Sequence, residues 1–65
     1  MRKIKQLREK LGFTQEEFGE LFNLSRQQYN SIEKGNRKGS AEFWLSVQKR
    51  FNLTNEETLH YMELI

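Results

Sequence analysis

The chain has 65 residues, a net charge of +2, one histidine, and neither cysteine nor aspartate. A chain of this length predicts one small domain over residues 1–65, with little room for an enclosed active site. Without cysteine there are no disulfides or thiolate metal sites, and no nucleophile–base pair is evident, so we expect no cofactor, no metal and no enzymatic activity. No apolar run is long enough for a membrane span and no signal peptide is evident, so we expect a soluble, cytoplasmic protein.

Helix 1 is predicted from about Arg2 to Leu11, because Ile4, Leu7 and Leu11 recur at helical spacing and a glycine follows. Arg8 falls within this apolar face. A charge at the edge of a core is costly unless it is paired, so Arg8 needs an acidic partner.

Two capping boxes follow in close succession. Thr14 stands three residues before Glu17, and Ser25 stands three residues before Gln28, so each pair predicts the start of a helix. Asn23, between them, tolerates the left-handed conformation that ends a helix. The sequence therefore predicts two helices joined by a tight turn over residues 14–35. A glycine at position 19, inside the first of them, indicates that the two helices approach closely.

The second of these helices, residues 26–34, has one polar face and one apolar face. Tyr29 and Ile32 point inward on a helical wheel, and Glu33 lies beside Tyr29, where it can pair with Arg8. The opposite face consists of polar and mostly long side chains, which are Arg26, Gln27, Asn30, Ser31 and Lys34. Such a face is often merely solvated. Arginine, glutamine and asparagine nevertheless match base edges in the major groove, and the face lacks carboxylates, so DNA contact is favoured.

Positive charge is concentrated in two parts of the chain. Residues 1–13 carry a net charge of +4 and residues 26–39 carry +3, whereas residues 55–65 carry −3. A basic loop, Asn36, Arg37 and Lys38, follows the polar helix, and Ser40 then caps the next helix. These loop residues, together with Lys34 and Ser40, are candidates for contacts with phosphates, against the alternative of a solvated connector.

Helix 4 is predicted over residues 41–51, with Phe43, Trp44, Val47 and Phe51 along one side as core. Thr54 and Glu57 form a third capping box, which opens helix 5 at about residue 55. In helix 5, Leu59, Met62 and Ile65 could pack inward, while Tyr61 and Leu64 widen the apolar arc beyond what a small domain covers. Self-association is favoured over a frayed C-terminus, through Tyr61, Met62, Leu64 and Ile65.

Residues 2–54 resemble the phage Cro and repressor type of helix-turn-helix domain, the XRE family of transcriptional regulators. The resemblance is carried without gaps by Thr14-Gln15-Glu16-Glu17, Gly19, Leu24-Ser25-Arg26, Ile32-Glu33, Gly35 and the basic residues that follow it. Three positions depart from the family pattern. Tyr29 replaces a branched aliphatic residue, Asn23 replaces glycine, and Gly39 replaces a common proline.

This resemblance implies an all-α, five-helix, lambda-repressor-like fold, with helices 2 and 3 forming the helix-turn-helix. It further implies a bacterial or phage regulator, with repression as the favoured action, that binds a near-palindromic DNA operator as a homodimer. The recognition helix, which enters the major groove, would be residues 26–34. Arg8 and Glu33 would bridge helix 1 to this helix, and an exposed Gln15 would brace a phosphate and the first side chain of the recognition helix. The alternative is a protein-interaction module, such as an antitoxin or anti-repressor acting through helix 5.

Overall fold

Five α-helices make up the computed structural model, which describes residues 2–63. They are α1 (Ile4–Leu11), α2 (Gln15–Glu20), α3 (Arg26–Lys34), α4 (Ala41–Arg50) and α5 (Asn55–Met62). The described residues contain no strand, which confirms the all-α, five-helix prediction. Helix α2 packs on α3, and α5 packs on both α4 and α1.

The helix starts are those that the caps predict. The side chains of Thr14, Ser25 and Thr54 each accept a hydrogen bond from the backbone N–H three residues on, and each capping box is complete. Asn23 is left-handed with φ of 58°, so the chain turns between α2 and α3 as expected. Helix α1 starts at Ile4, two residues later than predicted. The Arg2 carbonyl accepts from the Lys5 N–H in a tighter i to i+3 turn, and the Arg2 N–H donates to the Glu33 carbonyl at 2.7 Å.

Helices α2 and α3 touch at Gly19. A Cβ atom there would lie 2.9 Å from the Leu24 carbonyl oxygen and 3.3 Å from the Tyr29 Cβ. No larger residue fits without a shift, which confirms the predicted close approach. The helix-turn-helix is therefore fixed by packing as well as by its turn.

Aromatic rings fill much of the core. The Phe18 ring stacks on Phe51 at 5.7 Å and meets Tyr29 at 5.2 Å, so the ring of an α2 residue bridges the recognition helix and the end of α4. This arrangement orients α3 against the rest of the domain. The buried hydrophobic side chains are Ile4, Leu7, Phe18, Tyr29, Ile32, Phe43, Trp44 and Val47.

Two predictions about apolar faces are wrong. Leu11 is 42% exposed and Leu59 is 36% exposed, although both were expected to pack inward. On α5 the buried position belongs to Thr58, whose hydroxyl donates to the Thr54 carbonyl at 2.9 Å. Tyr61 and Met62 pack partly against the core, which turns Leu59 outward. The predicted interface residues Leu64 and Ile65 lie outside the described residues.

Candidate nucleic-acid interface

Helix α3 presents its polar face to solvent, as the wheel predicts. Arg26, Gln27 and Lys34 are exposed, and Asn30 and Ser31 are half-buried. Tyr29, Ile32 and Glu33 on the opposite face are buried. The five polar side chains predicted to face DNA therefore share the accessible side of one helix.

A buried ion pair lies directly beneath this helix. The Arg8 Nε donates to Glu33 Oε2 at 2.6 Å, and Arg8 Nη1 donates to the Phe13 carbonyl at 2.8 Å. Arg8 is 9% exposed and Glu33 is fully buried. The predicted bridge between helix 1 and the recognition helix is therefore present, and α1 holds α3 through a desolvated charge pair.

The hydrogen bonds around Glu33 keep its carboxylate ionised. Burial raises the pKa of the Glu33 carboxyl, but the hydrogen bonds from Arg8 and Gln15 and the nearby Tyr29 hydroxyl outweigh burial and lower the pKa below its ordinary value. Burial, followed by the neighbouring Glu33 carboxylate, raises the pKa of the Tyr29 hydroxyl. That hydroxyl is buried and has no hydrogen-bond partner within residues 2–63, so it lies near Glu33 but outside hydrogen-bonding geometry.

Gln15 extends this network to the polar face of α3. Its Nε2 donates to Asn30 Oδ1 at 2.8 Å and to Glu33 Oε1 at 3.1 Å. The side chain is half-buried, so the prediction of an exposed Gln15 is wrong. It braces the recognition helix as expected, but at Asn30 in the second turn and not at Arg26. No sequence pattern predicts this contact, because it depends on how α2 and α3 cross.

The two serines predicted to contact DNA already make local hydrogen bonds. The Ser31 hydroxyl donates to the Gln27 carbonyl at 3.0 Å, which leaves its oxygen free to accept. The Ser40 hydroxyl accepts from the Phe43 backbone N–H at 3.0 Å as the N-cap of α4, which leaves its proton free to donate. Ser40 therefore suits a phosphate, whereas Ser31 suits a base donor.

The basic loop after α3 has a fixed backbone and exposed side chains. The backbone N–H groups of Asn36 and Arg37 both donate to the Ser31 carbonyl. The Lys38 carbonyl accepts from Trp44 Nε1 at 2.9 Å and from Arg2 Nη1 at 3.4 Å. Sequence reasoning missed Arg2 and Trp44 as supports of this loop. The available signal was the indole N–H, which usually finds a partner when it is buried.

Gly39 ends the loop against the indole ring. Its φ is +81°, and an added Cβ would lie 2.8 Å from Trp44 Nε1. Proline holds φ near −65° and cannot adopt this conformation. Proline, the common residue of the family at this position, therefore cannot replace Gly39 in this conformation of the loop.

The exposed charge of residues 26–39 is more positive than the net charge of this segment suggests. Residues 26–39 contain four basic side chains and one acid. The acid is Glu33, which is fully buried and paired. The basic side chains Arg26, Lys34, Arg37 and Lys38 are all exposed. The recognition helix and its loop thus expose four positive charges and no carboxylate, which is the electrostatic character of a phosphate-binding surface.

No helix within residues 2–63 is long and apolar enough to cross a membrane. The same residues bring together no group of three or more histidine, cysteine or acidic side chains that could hold a metal ion.

A capped two-helix motif with an exposed basic recognition helix, set on three further helices, defines a DNA-binding domain of the helix-turn-helix class. Residues 4–57 match the family model described as "Helix-turn-helix", and the chain belongs to this XRE-type family of DNA-binding transcriptional regulators. It is 36% identical over 55 residues to YgzD of Bacillus subtilis (strain 168), named as an uncharacterized HTH-type transcriptional regulator. That match covers 85% of this chain and 83% of the relative. No solved structure matches significantly.

Proposed function

We propose that this protein is a sequence-specific regulator of transcription, acting as a repressor that places α3 in the major groove of double-stranded DNA. The observation that carries the proposal is the surface of residues 26–39, which exposes four cations while its one carboxylate is buried. DNA phosphates attract such a surface, and the polar side chains on the same helix can reach base edges. The protein acts by binding, without catalysis or a small-molecule ligand.

The contacts divide into base readout and phosphate binding. The residues assigned to base edges are Arg26, Gln27, Asn30 and Ser31. Those assigned to phosphates are Gln15, Lys34, Asn36, Arg37, Lys38 and Ser40. Gln15 donates both of its side-chain N–H groups inward, so its phosphate contact falls to the backbone N–H at the start of α2.

A monomer presents only one recognition helix, so useful affinity requires two copies. We propose a homodimer on DNA, formed through the C-terminal residues Tyr61, Met62, Leu64 and Ile65. Tyr61 and Met62 are only half-buried by the core and keep surface for a partner. Two recognition helices about 34 Å apart, one turn of DNA, match a near-palindromic operator. The protein would act where its DNA lies, in the cytoplasm of a bacterial or phage-infected cell.

Selection of bound sequences from a random DNA pool tests this function, with the protein at low micromolar concentration and the salt concentration fixed. We expect an inverted repeat with half-sites about 10 base pairs apart. Binding that is salt-sensitive but blind to sequence would contradict the proposal.

Single replacements then separate the two kinds of contact. Arg26→Ala should weaken binding by about 1–3 kcal/mol and relax the preference at one base pair of each half-site. Lys38→Ala should weaken all sequences alike and reduce the slope of log K against log salt by about one per subunit. Lys49→Ala, at an exposed position on α4, is the matched control and should leave both unchanged.

The second candidate is a protein-interaction module, such as an antitoxin or anti-repressor. The observation in its favour is the exposed apolar surface of Leu45 and Leu59, which are 55% and 36% exposed. If the selection recovers no motif, this candidate replaces the first, and Leu59→Ser should then abolish binding to the partner protein.

A further inference from the structure

Arg2 contacts three separate segments of the chain around the basic loop. Its backbone N–H donates to the Glu33 carbonyl, in the last turn of α3, at 2.7 Å. Its Nη1 donates to the Lys38 carbonyl in the basic loop at 3.4 Å. Its Nε lies 3.7 Å from Glu63 Oε2, directly after α5. One residue therefore joins the recognition helix, the basic loop and the end of α5.

A cleft lies between the basic loop and the end of α5. It has a volume of about 410 Å³, and its apolar lining includes Ala41, Trp44 and Met62. The Arg2 side chain contacts both sides of this cleft, since it reaches Lys38 on the loop and Glu63 after α5. The loop therefore borders open space, and Arg2 bridges that space.

The Lys38 carbonyl is held by two donors from different elements. Trp44 Nε1 donates from α4 at 2.9 Å, and Arg2 Nη1 donates from the segment before α1. The Arg2 side chain also runs close to the end of α3, because a Cβ atom on Gly35 would lie 3.8 Å from its Nε. Arg2 thus constrains the end of the loop, while the Ser31 carbonyl constrains its beginning.

Glu63 keeps the Arg2 guanidinium beside this loop. Lys34, Arg37 and Lys38 are exposed cations of the same region, and they repel a further positive charge. The Glu63 carboxylate offsets this repulsion, and solvent screens the pair only in part, because the Arg2 and Glu63 side chains are 19% and 35% exposed. Glu63 also has φ of 63°, a left-handed conformation that few residues other than glycine adopt.

We propose that Arg2 is a positioning residue that holds the basic loop where it binds phosphates, and that Glu63 supports Arg2 from the end of α5. This inference rests on the proposed function, since it concerns the phosphate contacts of the loop. It has an unusual consequence for the sign of one effect. A carboxylate ordinarily opposes DNA binding, whereas Glu63 favours it, because Glu63 acts through Arg2 and the loop.

The affinity for a short duplex of arbitrary sequence, measured at low salt by the anisotropy of labelled DNA, tests the proposal, because phosphate contacts are common to all sequences. Arg2→Met removes the charge and the donors and keeps the length of the side chain. Binding should weaken by about 3- to 10-fold, as expected for one long hydrogen bond and one partly exposed ion pair. Lys3→Met is the matched control. It removes the same charge from the neighbouring half-buried position and should weaken binding by less than about 2-fold.

Glu63→Gln tests the sign of the effect. We expect binding about 2- to 5-fold weaker than that of the wild type, because Arg2 loses its anchor. Glu56→Gln removes the same charge from an exposed position on α5, and it should bind DNA as tightly as the wild type or more tightly. Arg2→Met combined with Glu63→Gln should bind like Arg2→Met alone, because the two residues act in series.

Lys38→Ala shows whether Arg2 acts through the loop. Its effect on affinity should be at least about 2-fold smaller in the Arg2→Met protein than in the wild type, because the displaced loop has already lost its phosphate contacts. A direct contact between Arg2 and a phosphate predicts independent effects instead. Urea denaturation of each variant verifies that the protein used for binding is folded.

The outcomes separate this proposal from the function on which it rests. Tighter binding by Glu63→Gln, an equal loss in Lys3→Met and Arg2→Met, or independent effects of Arg2→Met and Lys38→Ala each overturn the role of Arg2. Wild-type protein that binds no DNA overturns both proposals. Sequence-blind binding by the wild type, with the variants behaving as expected, overturns the proposed function and supports the role of Arg2.

Discussion

Replacement of Arg8 by alanine tests whether the buried ion pair holds the recognition helix in place. The change leaves Glu33 fully buried, with the bond from Gln15 as its remaining side-chain hydrogen bond, and it also removes the bond from Arg8 to the Phe13 carbonyl. Breaking a buried pair by removing one partner costs about 3–5 kcal/mol, because an uncompensated charge stays in the core. We expect the free energy of unfolding to fall by that amount.

This loss is large for so small a domain. At about 0.05–0.15 kcal/mol per residue, the 65 residues give a total stability of roughly 3–10 kcal/mol. The variant is therefore close to unfolding at 25 °C. Urea denaturation followed by circular dichroism should be done with and without a stabilising osmolyte, so that a folded baseline is available for both proteins.

A double variant distinguishes the charge from the packing. Arg8→Met combined with Glu33→Met replaces the pair by apolar side chains of similar length, and it should recover most of the lost stability, because no unpaired charge remains. A loss of less than 0.5 kcal/mol in Arg8→Ala would refute the reasoning, since such a value is typical of an exposed pair.

Three further replacements or conditions test features beneath the interface. Tyr29→Phe removes a buried hydroxyl that has no partner among the described residues. Thermal unfolding should therefore show that the variant is as stable as the wild type or more stable, by up to about 1–2 kcal/mol. A loss of stability above 1 kcal/mol would mean that the hydroxyl is bonded to Glu33. Gly19→Ala should lower the stability of the domain by about 1–3 kcal/mol, although alanine has the higher helix propensity. The reason is that the added Cβ would lie 2.9 Å from the Leu24 carbonyl oxygen. An increase in the urea midpoint would contradict this prediction. The Glu33 pKa is lower in the folded state than its ordinary value of 4.5, so the stabilising contribution is complete above pH 4.5 and is lost as the pH falls through the folded pKa. Melting temperatures measured from pH 7 to pH 3 should fall less steeply in Glu33→Gln than in the wild type.

Most of the framework could be predicted because it is encoded locally. A capping box needs only two residues three apart, so Thr14, Ser25 and Thr54 predicted three helix starts, and the structure confirms them. The pairing of Arg8 with Glu33 was also predictable, because a charge on an apolar face needs an opposite charge at the facing position. The position of Tyr29 beside Glu33 followed from the same helical wheel.

What could not be predicted depends on distances between elements. The bond from Gln15 to Asn30 requires the start of α2 to lie over the second turn of α3, and helical periodicity carries no such information. Residues that lie on the same apolar arc of a helix were also ambiguous. Leu59 and Tyr61 both extend the apolar arc of α5, and only the packing against α1 and α4 decides that Tyr61 turns inward. The buried Thr58 was missed because its hydroxyl is satisfied within the helix.

The bond between Trp44 and the Lys38 carbonyl has a practical consequence. The chain contains one tryptophan, and its indole N–H is bonded to the backbone of the basic loop, on the segment that follows the recognition helix. Any displacement of this carbonyl changes the surroundings of the one indole that dominates the protein's fluorescence. Complex formation with DNA can therefore be followed by the intrinsic emission of the unmodified protein, and the same signal reports the loop's detachment when the domain unfolds.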